Sequence, residues 1–286
     1  MPIGARLDRL HLQSPQPEAL AAFYARAYGL TVRQIGKVFA CDGGGRSLQL
    51  SSGAANQLHY ALYGFSDLAR WQTFLTRASA VLTPVVIDAG LVPDGAVSCM
   101  DPDGNRLVFA APEATHTVSP ILEDGAAVTM ADRLPPAVNQ HFALRTTQID
   151  AMLAFYQTAL GFHLSDRVLD GEGRLRACFL RTDSLHHSLA LFGAPVSCFD
   201  HQSFEAPAWS DLKDWADHMS RERIEIVWGV GRHGPGNDVF FMVRDPDGNL
   251  AEISSEIEVC DDARPAGLWP HEERTLNLWG KAIMRS

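Results

Sequence analysis

The stretches LHLQSPQPEALAAFYARAYGL (residues 10–30) and QHFALRTTQIDAMLAFYQTALGF (140–162) decide the fold, because they repeat one pattern. Each predicts a short strand and then an amphipathic helix with the triplet AFY. A glycine follows near the helix C-terminus, where a positive φ is easily adopted. The pentapeptide DPDGN also occurs twice, at 101–105 and 245–249, between apolar runs. Its proline and glycine suit tight turns, so both copies are predicted to form hairpins.

A finer repeat divides the chain into four units with the pattern strand–helix–strand–strand–strand. Runs such as RACFLR and HSLALFG have the length and apolar content of strands. The units are predicted to start near Leu7, His59, Asn139 and His201, with helices near 16–28, 66–79, 148–160 and 210–222. The predicted fold class is therefore α+β, with two domains that each contain paired βαβββ modules. We place the N-terminal pair at 1–114, a linker at 115–138, the C-terminal pair at 139–256 and an extension outside the repeat at 257–286.

Composition restricts the partners and the compartment. The formal net charge of −10 disfavours nucleic acid and anionic membranes, since both require basic patches. No apolar run approaches the roughly 20 residues that span a bilayer, and the charged N-terminus does not resemble a secretion signal. The five cysteines are scattered and odd in number, with no CxxC spacing. This pattern predicts free thiols in a reducing cytoplasm.

Three residues of the C-terminal half form a candidate metal site. His141 and His201 are predicted to open the first strands of the third and fourth units, and Glu252 lies on the last strand of the fourth. Two imidazoles and one carboxylate leave half of an octahedral coordination sphere open, which suits Fe(II) and dioxygen chemistry. Four-coordinate Zn(II) is the alternative metal, and three unrelated strand residues are the alternative without a metal. A glutamate among apolar strand neighbours favours a metal, because its charge needs a partner.

The N-terminal half provides an internal comparison. There, His11 and His59 are matched with the two histidine ligands, and Val108 stands where the glutamate would be. Two histidines without a carboxylate make a poor site for a hard cation. We therefore predict no catalytic metal in the N-terminal half.

Two more histidines are candidates for acid–base work, because histidine transfers protons readily near neutral pH. His187 is predicted to lie on the last strand of the third unit, sharing a face with Leu189 and Leu191, while His186 points away as a structural residue. His233 lies in the glycine-rich segment GVGRHGPGND. Surface or packing roles are expected for His116, His163, His218 and His271.

The segments QHFALRT, LHHSLALF, FDHQSFEA, GRH and RDPDGNLAEI resemble those of the type I extradiol ring-cleavage dioxygenases. This family belongs to the vicinal oxygen chelate superfamily, which includes glyoxalases and bleomycin resistance proteins, and the resemblance covers almost the whole chain. It implies Fe(II), or occasionally Mn(II), bound only in the C-terminal domain. It also implies O2 as co-substrate, a small aromatic diol from aromatic hydrocarbon catabolism as substrate, and a homo-oligomer.

The resemblance also assigns roles by position. His141, His201 and Glu252 would be the metal ligands. His187 would handle protons on the substrate and on the bound oxygen species, and His233 would help to hold the catecholate.

One position departs from the family pattern. The family usually has a tyrosine ten positions before the glutamate ligand, and this chain has Met242 there. Methionine donates no hydrogen bond, so the chain is either a variant with an apolar contact to its substrate or a slow or repurposed enzyme. The competing functions are a glyoxalase-like isomerase, a thiol transferase, and a ligand-binding or resistance protein without turnover.

Overall fold

The computed structural model describes residues 1–85, 91–112 and 134–285. The first module contains β1 (Ala5–Ser14), α1 (Pro17–Tyr28), β2 (Thr31–Ile35), β3 (Val38–Gly43) and β4 (Arg46–Ser52). The second contains β5 (Gln57–Phe65), α2 (Leu68–Ala78), β6 (Thr83–Pro84), β7 (Val97–Met100) and β8 (Arg106–Ala110). The third contains β9 (Val138–Thr146), α3 (Ile149–Thr158), β10 (His163–Leu169), β11 (Leu175–Arg181) and β12 (Leu189–Gly193). The fourth contains β13 (Cys198–Glu205), α4 (Trp209–Arg221), β14 (Ile226–Arg232), β15 (Val239–Arg244) and β16 (Leu250–Ser255), and the extension adds β17 (Gly267–Pro270) and α5 (Glu273–Leu276).

These elements confirm the predicted fold class, with βαβββ four times over. The described strands form two mixed sheets, in the orders β2-β3-β4-β1-β5-β8-β7-β6 and β14-β15-β16-β13-β9-β12-β11-β10-β17. Each sheet therefore joins two modules through their first strands. Both DPDGN copies connect antiparallel neighbours, β7 to β8 and β15 to β16, as the hairpin prediction required. Most of the predicted linker, and His116, lie outside the described residues.

The second sheet curls around an interior of its own. Val168 on β10 and Trp228 on β14, from opposite ends of the sheet, belong to one buried cluster with Ala190 and Met242. Strands so far apart in the sheet order can share a cluster only if the sheet bends. The other sheet has a smaller interior cluster, which includes Tyr60 and Val108.

The outer faces of both sheets share a single core that crosses between the two halves. Tyr28 on α1 packs against Phe204 on β13, with ring centroids 5.2 Å apart, and against Trp215 on α4 at 6.0 Å. Tyr63 on β5 similarly packs against Phe162 at 5.5 Å. The first and fourth modules thus face each other, as do the second and third.

The repeated AFY and DPDGN motifs bind each other across this interface. Tyr156, from the second AFY, donates its hydroxyl proton to Asp101 of the first DPDGN at 2.9 Å. In the reciprocal contact, Tyr24 of the first AFY donates to Asp245 of the second DPDGN at 3.3 Å. Each half therefore helps to hold the hairpin turn of the other. Within the described ranges, no helix is long and apolar enough to cross a membrane.

Candidate metal centre and active site

Three strands of the second sheet bring the predicted ligands together. His141 lies on β9, His201 on β13 and Glu252 on β16, and β13 is hydrogen-bonded to both of the other strands. Ser203 on β13 is paired with His141 on one side and with Glu252 on the other. The two histidines lie inside their strands, three positions after the first residue of each, and not at the strand starts as predicted.

The ligand atoms of these three side chains converge in the buried interior. One atom from each of His141, His201 and Glu252 lies within 4.8 Å of the others, and each residue is at most 3% exposed. The two histidine Nε2 atoms are 3.1 Å apart, and Nε2 of His141 is 3.9 Å from Glu252 Oε1.

Neighbouring side chains orient both imidazoles. His201 Nδ1 donates to Asp200 Oδ1 at 2.6 Å, and His141 Nδ1 donates to the side-chain oxygen of Gln140. The amide of Gln140 is itself held, because its nitrogen donates to the carbonyl oxygen of His187 at 2.6 Å. With Nδ1 protonated in both rings, both Nε2 atoms present lone pairs. Outer partners of this kind are usual for metal-binding histidines.

The donor set fits a divalent cation. Two lone pairs 3.1 Å apart repel each other unless a positive charge lies beside them. Glu252 is fully buried, accepts one bond from Ser203 Oγ at 3.0 Å, and leaves its Oε2 without a hydrogen bond. Burial raises the pKa of Glu252, but the contact with His233 outweighs it and holds that pKa below its usual value. The carboxylate is therefore ionised, and a metal ion would satisfy its free oxygen.

Asp200 receives a second group of contacts that the sequence did not predict. Arg285, whose side chain is 2% exposed, donates from Nη2 to Asp200 Oδ1 at 3.0 Å. Arg145 donates to Oδ2 at 2.6 Å. Burial raises the pKa of Asp200, but Arg285 and the bond from His201 hold it well below its usual range. Asp200 directly precedes a ligand, which is a weak signal. Arg285 lies 85 residues away along the chain, and no local pattern marks it.

His187 reaches the site from a loop and not from a strand. It precedes β12, whereas the prediction placed it on that strand with Leu189 and Leu191 on its face. Those two leucines belong to the core shared by the two sheets, while His187 lines the interior cavity with Ala190. The His187 and His141 ring centroids are 4.4 Å apart. Burial, reinforced by His141 and by His186, lowers the pKa of His187 well below its usual value, so its ring is neutral.

His233 lies directly after β14, in the predicted loop. Its Nδ1 donates to the carbonyl oxygen of Leu276 at 2.5 Å, and its Nε2 is 3.8 Å from Glu252 Oε2. The ring stacks on Phe240 with centroids 3.7 Å apart. Burial lowers the pKa of His233, but Glu252 and Asp238 raise it more, so the net shift is upward.

A cavity lies beside these groups. It is lined by His141, His187, His201 and His233 on the polar side, and by apolar residues that include Phe179, Phe192, Trp228, Met242 and Leu276. Met242, on β15 directly opposite Glu252 in the strand pairing, is 1% exposed. Five of the six predicted site residues thus line one cavity, and the sixth, Glu252, lies next to it, 3.9 Å from His141.

Strand pairing corrects the predicted match between the two halves. In the second sheet Ser203 is paired with His141, and in the first sheet the corresponding pair is Leu62 with Arg9. The counterparts of the ligand histidines are therefore Arg9 and Tyr60, and not His11 and His59. The AFY triplets give the same answer for the first strand: they are 132 positions apart, which places Arg9 opposite His141.

The assignment of Val108 opposite Glu252 is retained, since Leu62 pairs with Val108 as Ser203 pairs with Glu252. Arginine, tyrosine and valine cannot replace two imidazoles and a carboxylate. Both clusters of metal-binding side chains found in the described residues lie in the C-terminal half.

Comparison with known proteins identifies the family. The model of the Glyoxalase/Bleomycin resistance protein/Dioxygenase superfamily matches residues 139–253. Metapyrocatechase 2 of Cupriavidus necator is 30% identical over 294 aligned positions, which cover 97% of this chain and 89% of that protein. The chain belongs to the extradiol dioxygenases. The resemblance seen in the sequence is confirmed, and with it the enzyme class, an oxidoreductase.

Another relative agrees with the assignment, and solved structures share the fold. Biphenyl-2,3-diol 1,2-dioxygenase of Paraburkholderia xenovorans is 27% identical, covering 87% of this chain and 85% of that protein. The structure of homoprotocatechuate 2,3-dioxygenase from Arthrobacter globiformis has a TM-score of 0.75 at 20% identity, covering 98% of this chain and 88% of the other. A Mn(II)-bound glyoxalase from Novosphingobium aromaticivorans has a TM-score of 0.76 at 22% identity, covering 99% and 92%. At these identities the structures show the shared fold alone.

Proposed function

We propose that His141, His201 and Glu252 bind one divalent metal per chain, and that the protein uses it to cleave the ring of a small aromatic diol with dioxygen. We propose Fe(II) as the metal and Mn(II) as the alternative. The observation that carries this proposal is the pair of facing Nε2 lone pairs beside a buried carboxylate oxygen that no described residue hydrogen-bonds. A protein site with two imidazoles and one carboxylate keeps positions open for substrate and oxygen.

When bound, the metal would supply a Lewis acid and redox centre at which catecholate and dioxygen react. The residues of the chain prepare the substrate for that reaction. His187, neutral and lining the cavity, would accept a hydroxyl proton from the diol. His233, held by the Leu276 carbonyl, would contact the diol from the side of Glu252.

The apolar wall of the cavity contributes by excluding water and by selecting the substrate. Phe192, Trp228 and Met242 are all at most 6% exposed and line the same space. Met242 presents a flexible thioether at the position where the family usually has a tyrosine, whose hydroxyl group would donate a hydrogen bond. We propose that this side of the cavity accepts an apolar substituent on the ring.

We propose a cytoplasmic location and assembly into a homo-oligomer. The five cysteines are all unpaired, which supports a reducing compartment. Sedimentation of the purified protein would test the assembly.

Anaerobic reconstitution with Fe(II), followed by exposure to oxygen and a panel of catechols, tests the function. The panel should include unsubstituted, 3-methyl and 3-phenyl catechol. We expect oxygen uptake in step with a yellow ring-opened product. Isomerisation or thiol transfer without oxygen uptake would support a glyoxalase-like enzyme instead, and catechol binding without turnover would support a ligand-sequestering protein.

A further inference from the structure

Behind His187 lies a chain of buried polar groups that the proposed reaction does not use. Nδ1 of His187 is 3.0 Å from Nδ1 of His186, and both rings are at most 3% exposed. On the far side of His186, Nε2 lies 3.2 Å from Asp166 Oδ2, within ion-pair distance, and meets hydrogen-bond geometry with no described residue. His186, expected to point away as a structural residue, therefore connects His187 to a buried carboxylate on β10.

Asp166 can only accept hydrogen bonds in this position. Its Oδ1 accepts from the backbone nitrogen of Gly267 and from Arg264 Nη1, both at 3.0 Å. Its Oδ2 accepts from Trp269 Nε1 at 2.7 Å. Every one of these partners is a donor, so the group is an ionised carboxylate fixed against β17. Arg264 supplies the compensating charge.

The direction of each bond then follows from donor and acceptor chemistry. Asp166 Oδ2 faces Nε2 of His186 at 3.2 Å and can only accept, so a neutral His186 carries its proton on Nε2. A neutral imidazole has a proton on only one nitrogen, so Nδ1 of His186 is an acceptor. Nδ1 of His187 must then donate to it. The other nitrogen of His187, Nε2, is left with a lone pair on a ring that lines the cavity.

We propose that Asp166 and His186 are positioning residues that hold His187 in the Nδ1–H tautomer, so that its Nε2 can accept a proton from the diol. The proposal rests on the proposed role of His187. It assigns a function to the C-terminal strand β17, which begins 80 residues after His187 and holds the carboxylate in place. A carboxylate that fixes the tautomer of a catalytic histidine is a general device in enzymes.

Asp166→Asn is the informative substitution, because an amide nitrogen would donate to His186 Nε2 where the carboxylate accepts. The proton of His186 would move to Nδ1, and that of His187 to Nε2, which blocks the base. Nitrogen-15 NMR of the full chain loaded with diamagnetic Zn(II) reports each histidine tautomer, and the His187 signals are those missing from His187→Gln. We expect Nδ1–H in the parent protein and Nε2–H in Asp166→Asn. The Nε2–H form in the parent, or an unchanged tautomer in the variant, would overturn the proposal.

Activity of the Fe(II)-loaded protein provides the second measurement. Asp166→Asn should lose about 10²-fold or more in kcat/KM for catechol, with metal content unchanged, which is the usual scale for a positioned acid–base group. Asp170→Asn, on the exposed turn after β10, is the matched control and should behave as the parent does.

If Asp166→Asn fails to fold, two substitutions of His186 test the proposal instead. In His186→Asn the asparagine offers an oxygen to His187 Nδ1–H, so this variant should retain more activity than His186→Phe. Equal activity of these two variants would count against the proposal.

The two proposals fail in different ways. A parent protein that cleaves no catechol would refute the proposed function while the tautomer spectra still decide the assignment of Asp166 and His186. An active dioxygenase whose His187 carries its proton on Nε2 would refute only the tautomer proposal.

Discussion

Replacing Glu252 by glutamine tests the metal site through the stability of the protein. Glu252 supplies the only negative charge among the three ligands and is fully buried. Glutamine has nearly the same volume, and its amide oxygen can still accept the bond from Ser203 Oγ. The substitution therefore removes the charge from the site and leaves the packing in place.

The magnitude follows from linkage between metal binding and folding. A metal that binds only the folded protein adds RT ln(1 + [M]/Kd) to the free energy of unfolding, about 2.7 kcal/mol at a hundredfold excess over Kd. For a protein of this size that corresponds to a rise in Tm of roughly 5 °C. We expect this rise in the parent protein, at one metal per chain, and no rise in Glu252→Gln at the same metal concentration.

Differential scanning calorimetry of chelator-treated protein, titrated with Mn(II) or with anaerobic Fe(II), measures both Tm values, and elemental analysis gives the stoichiometry. Glu256→Gln is the matched control, because Glu256 is exposed and pairs with Arg232 on the surface. A metal-dependent Tm in Glu252→Gln, or two metals per parent chain, would refute the assignment.

Three further predictions concern selectivity, the contacts between the halves, and acid stability. Met242→Tyr should raise the ratio of kcat/KM for unsubstituted catechol to kcat/KM for a 3-substituted catechol. The phenol hydroxyl adds a hydrogen bond of about 1.5–3 kcal/mol, and the ring fills space in the cavity. An unchanged ratio would contradict this prediction. Tyr156→Phe should lower the free energy of unfolding by about 1.5–3 kcal/mol in urea titrations, and Tyr24→Phe by less, since its bond is longer. Burial, together with His59, lowers the pKa of His11 from 6.5 to about 3, so the unfolded chain takes up a proton below pH 6.5 while the folded chain stays neutral. Stability should therefore fall as the pH drops through this window. By pH 5 the free energy of unfolding of the parent should have fallen by about 2 kcal/mol more than that of His11→Gln. Equal decreases in the two proteins would exclude this contribution.

Local pattern was sufficient to predict the repeat, the helices and the hairpins. The four predicted helices agree with α1 to α4 to within two residues at each end, because each has its own apolar periodicity and boundary signals. Both DPDGN hairpins formed for the same reason: a tight turn is specified by the residues within it. The proximity of His141 and His201 was predictable because they lie on the equivalent first strands of two units.

What the sequence did not predict depends on register and on distant contacts. The match of His11 and His59 with the ligand histidines was wrong because it followed residue type, whereas strand register decides which positions are equivalent. His187 was placed on the strand that it only precedes. The contact between Arg285 and Asp200 joins residues far apart in the chain, so only the folded sheet brings them together.

The reciprocal bonds between the AFY tyrosines and the DPDGN aspartates limit how far this catalyst can be reduced in size. Asp245 opens the turn into β16, the strand that carries Glu252, and it is held by Tyr24 from the half without ligands. In a protein trimmed to its C-terminal half, the carboxylate of Asp245 would no longer be buried. The side of the sheet that packs against the helices would also be open to solvent. A minimal version would need a substitute surface that supplies both an apolar cover and a hydroxyl donor at the position of Tyr24.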